Sequence, residues 1–267
     1  MDIYAVGDIH GCAEQLDALL EALPIAEDDW VVFLGDYIDA GSDSKAVIDR
    51  LIKWRERHPR TIFLFGNHEV AFVQFIKDGD LVAYAKMSGI PTLKSYVPEP
   101  RSDLHQHILE AIPSAHVAFF KTLRRYWNPG DVLFSHAGSD PRNAADRGLE
   151  NMTLKSHFNI FGDYRQAYGF VICGHYFSRR LTVRMTDNAM CIDTGCGILK
   201  GPLSGVSLRR KRVFQASAAR VVSSEPLVFS ERSKPIIKRL LDSGRRGEDV
   251  GQMLLGPIDL AALWPSG

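Results

Sequence analysis

Apolar residues near the start of the chain follow two alternating patterns. Short unbroken runs, Ile3 to Val6, Val31 to Leu34 and Thr61 to Phe65, have the length and the β-branched or aromatic content of strands buried on both faces. Between them, Leu16, Leu19, Leu20 and Leu23 recur at helical spacing up to Pro24. Val47, Ile48, Leu51 and Trp54 form a second stripe, with Ser42 and Ser44 as N-cap candidates before it and Pro59 as its stop. Strand and helix alternating in this way predict parallel strands joined by right-handed crossovers.

Beyond Val70 the helical period takes over. Three stripes predict a helical insertion over residues 70–130: Phe72, Phe75 and Ile76, then Leu104, Ile108 and Ile112, then Phe119, Leu123 and Trp127. The sheet resumes at Asp131 after an Asn-Pro-Gly turn, and further strands are expected to begin at Phe170, Met190 and Ser204. The expected fold class is α/β, a mixed β-sheet sandwich flanked by helices and carrying that insertion. Residues 1–215 are expected to form this domain and 216–267 a C-terminal extension with two short helical patterns, Ile236 to Leu241 and Val250 to Leu255.

The strand-like runs all stop in polar motifs. They read IYAVGDIHG, VVFLGDYIDAG and TIFLFGNHE, followed later by DVLFSHAG and FVICGHY. Ligands of open α/β sheets lie beyond the carboxyl ends of the strands. Asp8, His10, Asp36, Asn67, His136 and His175 are therefore expected in one place. This all-oxygen and imidazole set suits two divalent cations, manganese first and iron or zinc as alternatives, with Asp36 as the bridge. His68 is left over after ligand counting and is a candidate general acid, with Asp39 to orient and charge its imidazole. A single Gly-Asp is as readily a turn, and a lone His is more often structural. Five such features in one order carry the inference that no single one could.

Charge and cysteine content narrow the picture only a little. Lys plus Arg equal Asp plus Glu at 32 each, which gives no whole-chain reason to expect a nucleic-acid partner. The four cysteines form no CxxC pair, and no apolar run approaches the ~18 residues of a membrane span. The first strand begins within two residues of Met1, leaving no room for a secretion signal, so a cytoplasmic protein without a membrane partner is expected.

With GDIHG, GDYIDAG, GNHE, SHAG and GHY in this order, the chain resembles the calcineurin-like metallophosphoesterases. It looks most like their phosphoprotein phosphatase branch, which includes bacterial protein phosphatases and symmetrical diadenosine tetraphosphatases. The resemblance implies Asp8, His10 and Asp36 on one metal, Asp36, Asn67, His136 and His175 on the other, and His68 with Asp39 as the acid pair. It also implies a phosphate-binding Arg between the last two histidines, for which Arg147 and Arg165 are the candidates, with Arg142 also in that stretch. One position departs from the pattern, because the branch usually has Arg where this chain has Ala40. The expected function is a two-metal phosphoester hydrolase in which a metal-bound hydroxide attacks a phosphoprotein, a (di)nucleotide or a small phosphomonoester. The alternatives are a phosphodiesterase or nuclease, or a catalytically weak metal-containing binding protein that has lost the clamp at residue 40.

Overall fold

The structure, a computed structural model, describes residues 1–99, 102–143, 146, 148–154, 168–243 and 255–257. Strand and helix alternate at first: β1 (Ile3–Val6), α1 (Ala13–Ala22), β2 (Trp30–Phe33), α2 (Ser44–Arg57) and β3 (Thr61–Phe63). Five helices follow: α3 (Asn67–Asp78), α4 (Leu81–Lys86), α5 (Ile90–Tyr96), α6 (Leu104–Ala111) and α7 (Ser114–Thr122). The chain then returns to strands through β4 (Arg124–Trp127), β5 (Val132–Ser135), α8 (Leu149–Thr153), β6 (Phe170–Cys173), β7 (Arg184–Met185) and β8 (Ala189–Cys191). It closes with β9 (Leu203–Ser207), β10 (Arg212–Ala216), β11 (Val222–Pro226), α9 (Ser233–Ser243) and β12 (Leu255–Pro257).

The strands form two mixed sheets, ordered β11-β10-β9-β1-β2-β3 and β12-β4-β5-β6-β8-β7. β1, β2 and β3 are parallel to one another, as are β5, β6 and β8, so each sheet gathers three carboxyl ends at one edge. Strand alternation decides what each face covers. Ile3, Ala5, Val32, Leu34, Ile62 and Leu64 point to the second sheet, where they meet Trp127, Phe134, Phe170 and Ile172. Tyr4, Val6, Val31, Phe33, Phe63 and Phe65 point the other way and are covered by the leucines of α1 and the aromatic residues of α3 and α7. Runs that are apolar at every position are thus what a sheet packed on both faces requires.

Two elements differ from the pattern-based expectation. The stripe through Phe119, Leu123 and Trp127 is not one helix: α7 ends at Thr122, Leu123 is extended, and Trp127 lies on β4. Long-range packing overrides the local period here. Trp127 lodges between the sheets, with ring centroids 5.6 Å from Trp30 and 5.0 Å from Phe134, and it pairs in register with Phe134 of β5. In the tail, the helical pattern at Ile236 to Leu241 falls within α9, whereas Leu255 opens a strand paired to Trp127 and residues 250–254 lie outside the described residues.

The residues after 215 also pack on the domain. β11 pairs with β10 along the edge of the first sheet, and α9 places Ile237, Leu240 and Leu241 in the core between the sheets. Ile237→Ala or Leu241→Ala should therefore lower unfolding free energy by about 2–5 kcal/mol, as truncation of a buried core side chain does. Urea denaturation checks this, and an unchanged midpoint in both would show that the tail is an appendage.

Candidate functional site

The carboxyl ends of β1, β2 and β3 open into three loops that hydrogen-bond to one another. The amides of Ile9 and His10 both donate to the Asp36 carbonyl at 2.9 Å, and the Gly11 amide donates to the Tyr37 carbonyl at the same distance. Glu69, in the first turn of α3, is fully buried and binds the loops together. Its carboxylate accepts the amides of Asp36 at 2.9 Å, Tyr37 at 2.8 Å and Gly66 at 2.9 Å. The Gly66 bond is one half of a capping box, which explains Glu at the third helical position. Several site residues are held in the left-handed region that non-glycine residues rarely adopt: His10 at φ 46°, Asp36 at 52°, Asp39 at 71°, Ala40 at 61° and His175 at 65°.

Backbone carbonyls fix the direction of two imidazoles. His10 Nδ1 donates to the Ile38 carbonyl at 3.1 Å and His136 Nδ1 to the Leu34 carbonyl at 2.9 Å. Each ring therefore turns Nε2 inward, where it offers a lone pair when neutral. His136 Nε2 lies 3.2 Å from Asp36 Oδ2, 2.9 Å from Asn67 Oδ1 and 3.2 Å from His175 Nδ1. His10 Nε2 lies 3.7 Å from Asp36 Oδ2. Asp8, 2 % exposed, accepts the His175 amide through both carboxylate oxygens, at 3.0 and 3.2 Å. The structure thus brings together all six strand-end residues singled out in the sequence.

The electrostatics of this cluster suit cations. Burial pushes the Asp8 carboxyl well above its ordinary range, and the charges of Asp193 and Asp36 push it further. Burial drives His10 down to about 4 against the pull of Asp36. At Asp36 burial acts upward but is outweighed by His136, His68 and His10, which hold the carboxyl well below its ordinary value. Carboxylates, an amide oxygen and inward-turned imidazoles converge here, and divalent cations would satisfy that arrangement in place of the protons favoured on Asp8 by burial and on His136 by the Asp36 charge. Ligand atoms of Asp36, His136 and His175, and those of His10, Asp36 and His68, lie within 4.8 Å of one another as potential metal groups.

His68 and Asp39 form a pair beside that cluster. The imidazole is 8 % exposed; its Nδ1 donates to Asp39 Oδ2 at 2.8 Å and its Nε2 lies 3.9 Å from Asp36 Oδ2. Burial opposes the charged ring, but the Asp36 charge together with the Asp39 bond and charge raises it to about 9. Asp39 is itself held by the insertion. Tyr84 of α4 donates to Asp39 Oδ1 at 2.5 Å, Thr92 of α5 donates to the same oxygen at 2.6 Å, and the Asp39 amide returns a bond to Thr92 at 2.8 Å.

Sequence reasoning gave no role to Glu69, Tyr84 or Thr92. The capping-box position was a local signal for Glu69, whereas Tyr84 and Thr92 meet Asp39 only through the tertiary fold. Arg147 and Arg165 lie outside the described residues. Arg142 is at the surface, bound to Asp140 at 2.7 Å. Ala40 donates its amide to the Ser88 carbonyl at 3.1 Å and offers no cation for a phosphate.

Residues 1–179 match the family model described as calcineurin-like phosphoesterase. The chain is 26 % identical to an asymmetrical bis(5'-nucleosyl)-tetraphosphatase of Bacillus velezensis, over 72 % of this chain and 83 % of that protein. It is 24 % identical to a symmetrical bis(5'-nucleosyl)-tetraphosphatase of Nitrosospira multiformis, over 80 % of this chain and 95 % of the relative. Among solved structures, a cold-active protein-tyrosine phosphatase of a Shewanella species shares the fold, with TM-score 0.54, 17 % identity, and coverage of 84 % of this chain and 80 % of that one.

A Cβ added at Gly174 would lie 2.0 Å from Asp8 Oδ1, so Gly174→Ala should drive Asp8 from its place. The expected result is at least a ~10-fold loss of manganese affinity, the scale seen when a metal site's supporting groups are disturbed, with unchanged far-ultraviolet circular dichroism. Manganese titration of the metal-free variant checks this. Wild-type affinity would remove Asp8 from the ligand set.

Proposed function

The chain belongs to the calcineurin-like phosphoesterases and is a hydrolase of phosphoester bonds; from that premise we propose that it is a cytoplasmic two-metal phosphatase of dinucleoside polyphosphates. Asp8, His10 and Asp36 would hold one cation, and Asp36, Asn67, His136 and His175 the other, with manganese the best fit to this mixed oxygen and imidazole set. When bound, the pair supplies Lewis-acid polarisation of phosphoryl oxygens and activates water near neutral pH.

The observation that carries the reading is the placement of His68. Its Nε2 faces the donor cluster while its other nitrogen is committed to Asp39, so it can present a proton to an oxygen leaving phosphorus. Asp39 keeps the ring turned and charged, and Tyr84 and Thr92 keep Asp39 in place. Asn67 contributes an oxygen without adding negative charge, which preserves the attraction for a polyanionic substrate. With Ala40 in the loop, no side chain there grips a single terminal phosphate, a clamp whose loss costs about 2.7–4 kcal/mol of transition-state stabilisation by analogy with other charge-stabilising donors. A polyphosphate bridge, which has several phosphates to place, depends less on that one contact. The two curated relatives named above, both tetraphosphatases, support this substrate class.

Manganese-loaded protein assayed against diadenosine tetraphosphate, an aryl phosphomonoester, an aryl phosphodiester and a phosphopeptide should prefer the dinucleotide and lose activity to a chelator. Preference for the phosphopeptide or the diester would overturn the substrate assignment. No turnover with about two metals bound would favour a binding protein that lost its clamp at Ala40. His68→Asn should lower kcat about 10²–10⁴-fold while metal content stays unchanged; a normal rate would remove His68 from the mechanism.

A further inference from the structure

Asp193 is a buried carboxylate that the proposed chemistry does not use. It is 2 % exposed and lies just past β8, on the sheet edge that also carries His175. Its Oδ1 accepts the Gly195 amide at 2.8 Å and closes a local turn; the Phe177 amide also pulls on the carboxylate, but its Oδ2 is buried with no partner in hydrogen-bond geometry. The turn needs only one of the two oxygens. The other is surplus to the fold of the loop and unfavourable to bury as a charge.

The loop that carries it is seated on the turn between Asp8 and His10. A Cβ at Gly197 would come within 2.5 Å of His10 Cβ, and one at Gly7 within 2.8 Å of the Ile192 carbonyl oxygen. Cys196 Sγ adds a bond to the Ile9 carbonyl at 3.4 Å. The Asp193 loop is thereby held against the turn that presents Asp8 and His10. The ligand sets proposed above are also unequal, with three protein donors for the first cation and four for the second.

We propose that Asp193 is a further acidic residue of the metal centre, adding a carboxylate beside the cation that Asp8 and His10 hold and strengthening binding at that site. This rests on the two-cation reading above. The side chain serves as a positioning group for the cation, and the rest of its loop fixes it there through Gly195, Gly197 and Cys196.

The test uses the full-length, metal-free protein and manganese alone as probe. Calorimetric titrations compare the wild type with Asp193→Asn and Asp193→Ala, and thermal melts of the metal-free forms accompany them. Asparagine keeps an oxygen for the Gly195 amide and loses only the charge. Both variants should weaken one of two manganese sites by about 10- to 100-fold, the range found for groups that support metal ligands. The metal-free Asp193→Asn protein should melt no lower than the wild type, because its turn is intact and a buried charge is gone. Wild-type manganese affinity in Asp193→Asn would overturn the proposal, and a loss confined to Asp193→Ala would do the same by assigning the residue to the turn. A wild type that binds no manganese would sink the metal-centre reading itself, an outcome distinct from either.

Discussion

The carboxylate of Glu69 is the constraint on which the site depends. Fully buried, it gathers amides from the end of β2 and from the start of α3, and so fixes the distance between Asp36 and Asn67. Burial and the nearby Asp36 charge raise its own pKa to about 7, so the arrangement is electrostatically tense before any cation is considered. The tension extends to the backbone. Left-handed residues at His10, Asp36, Asp39, Ala40 and His175 each cost about 1–3 kcal/mol, and they persist because the loops are over-determined by their hydrogen bonds and by the core beneath them.

That core explains why one edge of the molecule can bear such a load. Three parallel strands in each sheet are packed on both faces, so their carboxyl ends are rigid anchors for the loops that carry the site. The helical insertion adds a wall on the side of His68, reaching Asp39 through Tyr84 and Thr92. Sandwich and insertion therefore serve different halves of the proposed chemistry: the sandwich positions the metal donors, and the insertion positions the proton donor.

Much of this was legible in the sequence because it is written locally. Unbroken apolar runs and leucine stripes announce the first three strands and two helices, and each run ends where its polar motif begins. Asp8, Asp36, Asn67, His136 and His175 could be placed together because parallel strands share an edge. Other features were hidden because long-range packing decides them. Trp127 fits a helical stripe, but the space between the sheets claims it for β4. Tyr84 and Thr92 carry no pattern that points to Asp39, 45 and 53 residues away. The role of Asp39 could be anticipated from spacing, whereas the groups that hold Asp39 could not.

The glycines of the motifs make space for carboxylates of other motifs. A Cβ at Gly66 would fall 2.0 Å from Asp36 Oδ1, and one at Gly174 would fall equally close to Asp8 Oδ1. The third motif is thus shaped by the acid of the second, and the last motif by the acid of the first. A side chain at either glycine would therefore displace a carboxylate that belongs to another motif, so the four loops are joined by excluded volume as well as by hydrogen bonds.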